Sequence, residues 1–306
     1  MCLSGGEGQM GRAPGLKFRN AVLPWVFVLP GIVFTFIFRY YTLFRAAWMS
    51  VHNYNVAHPP GPFVGFHNYV AVLKLPLFWQ AWQNTAVFVV LFILLTFLIP
   101  IVQAIFLSET SRGRNAFSTL YLLPALVPLS VTVILWKFVF TPFDYGLANF
   151  VLGLLGFPAR TWYSDPQLAK LCIVIPGMIG GGFGVLLYMS AIFGVSPDIL
   201  EAAQLEGCSG LQKLWHITLP NITFLIMIQL VLSVIGIMQI LDPIQQYTLG
   251  GGTGHSTTSV AYLIYDLYTR QFDFGKAMAT AVLMLIVIGG ITALQMKLNR
   301  AERSGE

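Results

Sequence analysis

Six stretches of this chain run for about the thickness of a bilayer without one Asp, Glu, Lys or Arg: 20–38, 81–107, 115–136, 171–197, 214–241 and 277–296. A spanning helix needs about 20 apolar residues, so each stretch is long enough to cross, and no soluble core of this size could bury them all. Charged residues are 9% of the chain and hydrophobic ones 56%, whereas soluble domains carry about 25% charged residues. A soluble enzyme, a nucleic-acid module and a disordered chain are excluded on that ground. The expectation is an all-α membrane protein of six transmembrane helices with both termini on one side.

The formal charge of +5 is no nucleic-acid signal, because no basic run reaches five residues. The basic residues instead read as helix-end anchors. With the N-terminus inside, the inner segments hold Arg12, Lys17, Arg19, Arg112, Arg114, Lys213, Lys297, Arg300 and Arg303, and the outer side holds Arg39, Arg45, Lys74, Lys137, Arg160, Lys170, Arg270 and Lys276. The inner segments are about half as long in total, so their basic density is about twofold higher, which sets the orientation as N-in and C-in. The expected organisation is an inner segment 1–19, a transmembrane domain 20–296 and an inner tail 297–306. Arg12, Lys17 and Arg19 precede an apolar run too long for a signal peptide, so an uncleaved first helix is expected. Tyr145–Phe157, with three glycines, is too short to span and reads as an interfacial helix. Cys2, Cys172 and Cys208 have no metal or redox spacing and are expected as free thiols.

The loop between the fourth and fifth stretches, Ser196 to Pro220, has helix-start residues (Ser196, Pro197, Asp198), good helix formers from Glu201 to Glu206, and Gly207 as a stop. An amphipathic stretch follows, with Leu211, Leu214, Trp215 and Ile217, and Pro220 is expected to open the fifth helix. Two short helices at a glycine corner result. An ordinary connector would share that outline; the particular residues do not belong to an arbitrary connector.

Glu201-Ala202-Ala203, then Gly207, then Ile217-Thr218-Leu219-Pro220 resembles the EAA loop of permease subunits of binding-protein-dependent ABC importers, at the family spacing. Glu206 stands where that family usually has Asp, and Cys208 where it has Ala. Phe63–Tyr69, Leu122-Leu123-Pro124, Trp136-Lys137, Tyr145–Asn149, Trp162–Pro166 and Thr248–Gly252 are similar to the sugar branch, of maltose-permease type. Gly252 replaces a proline of that branch, so a looser turn is expected there. The resemblance implies a type I ABC importer fold and a non-catalytic subunit that forms the pathway for a sugar or oligosaccharide. It also implies docking of Glu201, Ala202, Ala203, Gly207, Ile217, Leu219 and Pro220 against an ATPase. The partners implied are a second permease, two ATPase subunits and an extracytoplasmic solute-binding protein, in the cytoplasmic membrane of a prokaryote. ATP and Mg would reside on the ATPase partner, with no cofactor on this chain. Aligned through the EAA loop, Gly180 and Ser233 match positions that line the family's sugar site, and Gln229 shares a helical stripe with Ser233 and Gly236. Ala125, Leu129, Gly236 and Ile237 depart from it, which implies a wider, less polar pocket.

Other signals are weaker. Gly250–Thr257 lacks the lysine and the first glycine of a phosphate loop, and no Walker motif occurs. The five histidines show no ligand spacing. Gly180, Gly181, Gly182 and Gly184 predict either close helix packing or a broken helix that makes room for substrate. The six stretches hold no deep Asp, Glu, Lys or Arg, against an ion-coupled secondary transporter. Their neutral polar groups, Gln103, Gln229, Ser233 and Gln239, suit a hydroxyl-rich neutral ligand, or equally bond a neighbouring helix. Glycerol phosphate or a polyamine, the other solutes a permease of this family could carry, is charged and would need counter-charges from the partner subunit.

Overall fold

The computed structural model describes residues 14–55, 61–110, 113–179 and 181–304. Among these, four helices are long and apolar enough to cross a bilayer, and two bent pairs pass the same test as one span each. The only strand-like pairings among the described residues are two isolated bridges, His52 with Phe63 and Asn55 with Asp273.

The first span joins α1 (Pro14–Thr35), a π-helical turn (Phe36–Tyr41) and α2 (Thr42–Ser50). It passes through Arg39 and Arg45, beyond the Phe38 boundary read from the sequence. A guanidinium on a long stem does not end a helix that is leaving the membrane, and Arg45 lies 4.6 Å over the Trp48 ring. No residue from Trp25 to Met49 is buried. The first half of this span makes no buried contact, whereas α2 packs against the last helix of the chain, and α3 (His67–Leu73) fastens its end at Ser50. Asn68 Nδ2 donates to the carbonyls of Ser50 and His52 at 2.8 and 2.9 Å.

The second span runs through α4 (Pro76–Phe92), a π-helical turn (Ile93–Phe97) and α5 (Leu98–Glu109). Its 34 residues extend for about 51 Å at 1.5 Å per residue, well past an apolar core of about 30 Å. Pro100 has no N–H for the carbonyl four residues back and its ring crowds that turn; the widened turn just before it relieves both.

The third span is broken. Between α6 (Arg114–Leu126) and α7 (Leu129–Val139) the axis bends by 93°. Pro128 forces the preceding Val127 out of the helical region, to ψ 127°, and its own carbonyl accepts from Val131 and Thr132 to start α7. A short helix, α8 (Leu147–Leu154), lies where the interfacial segment was expected. The fourth span is α9 (Ala169–Val174), a 3₁₀ turn (Ile175–Met178) containing Pro176, and α10 (Gly182–Phe193), bent by 47°.

After α11 (Pro197–Leu205), α12 (Gly210–Lys213) continues through a π-helical turn (Leu214–Thr218) into α13 (Leu219–Met238). Pro220 therefore does not open the fifth helix: it sits inside one continuous helix, Gly210–Met238. As at Pro100, a π-helical turn just ahead of the proline absorbs its missing N–H. α14 (Asp242–Thr248), α15 (Val260–Thr269) and the last span, α16 (Phe274–Ser304), complete the chain.

Lipid tails are as apolar as the side chains, so these helices are held by close packing and hydrogen bonds rather than by escape from water. One cluster joins Phe78, Met238, Leu263 and Met284 across α4, α13, α15 and α16. A second joins Phe88, Val133, Ile173, Ile244 and Tyr262. A third packs Phe97, Ile101 and Ala104 against Val185 and Tyr188. At Gly182 a Cβ would collide with the Tyr121 carbonyl, so α10 and α6 touch backbone to backbone. The helix is broken ahead of Gly182, and the glycines after the break allow close approach.

Candidate functional site

The EAA loop folds as a corner between two helices. α11 begins after Ser196, whose carbonyl accepts from Ile199 at 3.2 Å, with Asp198 in the first turn where a helix N-terminus favours an anion. It ends on Gly207 with φ +73°. Cys208 N–H reaches back to the Ala203 carbonyl at 3.0 Å, the six-residue closure that a left-handed residue permits at a helix end. Ser209 then starts the next helix with a reciprocal cap: its Oγ accepts from Gln212 N–H at 3.3 Å, and Gln212 Oε1 accepts from Ser209 N–H at 2.8 Å. The Ser-x-x-Gln spacing carried that signal in the sequence.

Ala203 is buried and anchors α11, while Glu201 and Ala202 are exposed. Ile217 and Leu219 are half-buried along the continuous helix, and Pro220 is exposed. The corner leaves bare a set of large apolar groups that the motif itself does not contain: Leu205 is 90% exposed and Trp215 63%, flanked by exposed Ile199, Leu211 and Cys208. One ion pair ties the corner to the bundle, and a second set of contacts joins the helix ends beside it. Lys213 Nζ meets Glu109 Oε1 at the end of α5 at 3.3 Å. The Arg114 guanidinium donates to the carbonyls of Ser108 and Thr110 at 3.0 Å and lies 4.7 Å over the Phe193 ring at the end of α10.

A cavity of about 340 Å³ lies where the second, fourth and fifth spans meet. Gln229 and Ser233 line it together, as their shared stripe on α13 predicts. Gly180 lies outside the described residues; Gly181 and Gly184 are on the wall, with Pro100 opposite them. Thr96 and Tyr188, which the sequence reading did not single out, also line it; they are 6% and 2% exposed, and their hydroxyls have no hydrogen-bond partner among the described residues. Leaving such a group unpaired costs about 1–3 kcal/mol. The rest of the wall is Phe92, Phe97, Phe183 and glycine backbone. Gln239 is not brought here; it faces a separate apolar cavity with Leu43 and Met284. Nor are Leu129 and Ile237, which line a third.

On the face opposite the EAA loop, the turn through Gly252 is tight rather than loose. Gly252 has φ +74°, which proline cannot adopt. A Cβ there would sit 2.9 Å from both Ser256 Oγ and Thr257 Oγ1. Thr257 N–H closes onto the Gly251 carbonyl at 2.8 Å, and Asn84 Nδ2 donates to the carbonyls of His255 and Thr258 at 2.9 Å.

Residues 104–302 match the family model described as binding-protein-dependent transport system inner membrane component. The chain is 29% identical to the trehalose/maltose transport system permease protein of Thermococcus litoralis, covering 94% of this chain and 97% of that one. It is 28% identical to the sn-glycerol-3-phosphate transport system permease protein of Pectobacterium atrosepticum, over 92% and 95% of the two. A chain of a bacterial ABC transporter involved in the import of the acidic polysaccharide alginate superposes with a TM-score of 0.82 at 23% identity, covering 94% of this chain and 98% of that chain. The fold is therefore that of an importer permease, and this integral membrane chain belongs to the family of binding-protein-dependent transport system inner membrane components.

Proposed function

We propose that this chain forms one half of the translocation pathway of an ATP-driven importer for a carbohydrate, and that the EAA loop is its mechanical link to the ATPase. The observation that carries the substrate class is the cavity lined by Thr96, Tyr188, Gln229 and Ser233. Its two orphaned hydroxyls need partners that a sugar's hydroxyls supply, and its aromatic walls suit the faces of sugar rings. The solutes named for the Thermococcus litoralis relative support the same class.

In this reading the subunit works beside a second permease, with two ATPase subunits below and an extracytoplasmic solute-binding protein above, in the cytoplasmic membrane of a prokaryote with both termini inside. ATP and Mg belong to the ATPase, and this chain binds no cofactor. Leu205, Leu211 and Trp215 enter a cleft of the ATPase with Ala202, Gly207 and Cys208, while Glu201 makes polar contacts at its rim. Because Gly210–Met238 is one continuous helix, displacement of the corner is passed along α13 to Gln229 and Ser233 at the cavity. Ile217, Leu219 and Pro220 lie on that lever, at the π-helical turn where it can flex. The break at Val127-Pro128 adds support: non-helical backbone at membrane depth is tolerated where protein or a water-filled path covers it.

The test is Ser233→Trp in the reconstituted importer. Transport is expected to fall to background while ATPase stimulation by the binding protein survives. Uptake at the unsubstituted rate would remove Ser233, and with it this cavity, from the pathway.

A further inference from the structure

We infer that this importer first receives its saccharide at a second, cationic cavity on the face opposite the EAA loop, and that the saccharide carries an oxyanion, a carboxylate in the first instance. The inference rests on the carbohydrate reading and narrows it. A cavity of about 690 Å³ is lined by Ser130, Lys137, Gln245, Gln246 and Arg270 among its polar residues. Its volume falls within the range of about 300–1,000 Å³ typical of ligand clefts.

Four of its lining residues, Ser130, Val133, Ile134 and Lys137, have the i, i+3, i+4, i+7 spacing of one face of α7. That face turns toward α14 because the 93° break at Val127-Pro128 swings α7 out of line with α6. Lys137 sits in the last turn of α7, and Arg270 caps the end of α15. The fold thus brings together two cations far apart in sequence.

Their charge is offset only in part within the chain, Arg270 lying also 5.9 Å over the Tyr262 ring. Arg270 has Asp266 at 3.7 Å, a long contact with the guanidinium still about half exposed. Lys137 is half-buried, and no carboxylate among the described residues pairs with it. Gln245 is held by donating to the Tyr265 hydroxyl at 2.9 Å, which presents its amide in a fixed orientation. A guanidinium, an ammonium and two amides around one opening are the groups that recognise an anionic polyol: the guanidinium grips carboxylate or phosphate in a fork, and the amides meet hydroxyls. The inner cavity, by contrast, is neutral. A charged saccharide would be gathered by the cations at the mouth and passed inward through its hydroxyls.

The experiment uses the assembled importer in lipid nanodiscs without its binding protein, and measures direct binding of trigalacturonate, maltotriose and sn-glycerol 3-phosphate. Trigalacturonate is expected to bind, to weaken at high salt, and to lose about tenfold or more in affinity with Lys137→Gln and with Arg270→Gln. Lys137→Arg and Arg270→Lys should retain most of it. Any maltotriose binding should be indifferent to all four substitutions, which also reports that the variants are folded. Bound saccharide whose affinity both Gln variants leave unchanged would overturn this inference alone. Preference for glycerol phosphate over trigalacturonate would overturn it in favour of a small phosphate ester. Loss of binding-protein docking with trigalacturonate binding intact would overturn it in favour of a protein contact. Failure of trigalacturonate to bind the unsubstituted importer would overturn this inference; the carbohydrate reading, in which the binding protein delivers the solute, is tested separately by uptake through Ser233→Trp.

Discussion

Replacement of Gly207 separates backbone conformation from side-chain size at the EAA corner. The residue holds φ +73°, and a Cβ built there meets nothing within 4 Å. A side chain therefore meets no obstacle inside this chain; the cost comes from the left-handed conformation itself, about 1–2 kcal/mol for a residue with a Cβ. That is a factor of about 5–30 in the population of the closed corner. Asparagine tolerates the left-handed region through local hydrogen bonding, alanine does so poorly, and a β-branched residue worst of all. Binding-protein-stimulated ATP hydrolysis and transport, measured in proteoliposomes, should rank Gly > Asn > Ala > Val, although Asn is larger than Ala. Gly207→Val should lose most coupled activity while the isolated ATPase is unaffected. If Asn is as damaging as Val and Ala is benign, the restriction is the fit of the side chain in the ATPase cleft, and the backbone argument is wrong. Full transport by Gly207→Val would refute a coupling role for the corner.

Cys208 is exposed on the corner, so in a variant lacking Cys2 and Cys172 a membrane-impermeant thiol reagent should label it in inside-out vesicles stripped of the ATPase. Labelling from outside intact cells would reverse the orientation. At Gly182 a methyl group would strike the Tyr121 backbone, so Gly182→Ala should destabilise the detergent-purified chain by about 1–3 kcal/mol, seen as a lower thermal midpoint. Gly153→Ala on the open face of α8, where nothing lies within 4 Å, should cause no such drop, and equal midpoints for the two variants would contradict the close α10–α6 contact.

The spans were legible because a bilayer imposes a one-dimensional rule: a charge-free run of sufficient length has nowhere else to go. The EAA corner was legible because helix-stop chemistry is local, acting between Glu201, Gly207 and the residues that follow them. Helix ends were less so. Arg39 and Arg45 failed to stop the first helix because long cationic side chains reach outward while the backbone continues. Pro220 failed to start the fifth because a π-helical turn can carry a proline inside a helix.

What the sequence alone determined is the membrane and the runs that can cross it, a matter of composition, and the EAA loop, whose resemblance to the family motif rests on residues within a few turns of one another. The tertiary structure decided which polar groups share a cavity. Thr96 and Tyr188 read as ordinary span residues until the packing of the second and fourth spans sets both beside Gln229 and Ser233. Lys137 and Arg270 read as two unrelated helix-end anchors until a right-angle bend at Pro128 brings α7 against α14. Proline is tolerated within membrane helices, so its presence announces neither the bend nor its direction. Only the packing of the neighbouring helices sets that direction, and with it which polar groups share a cavity.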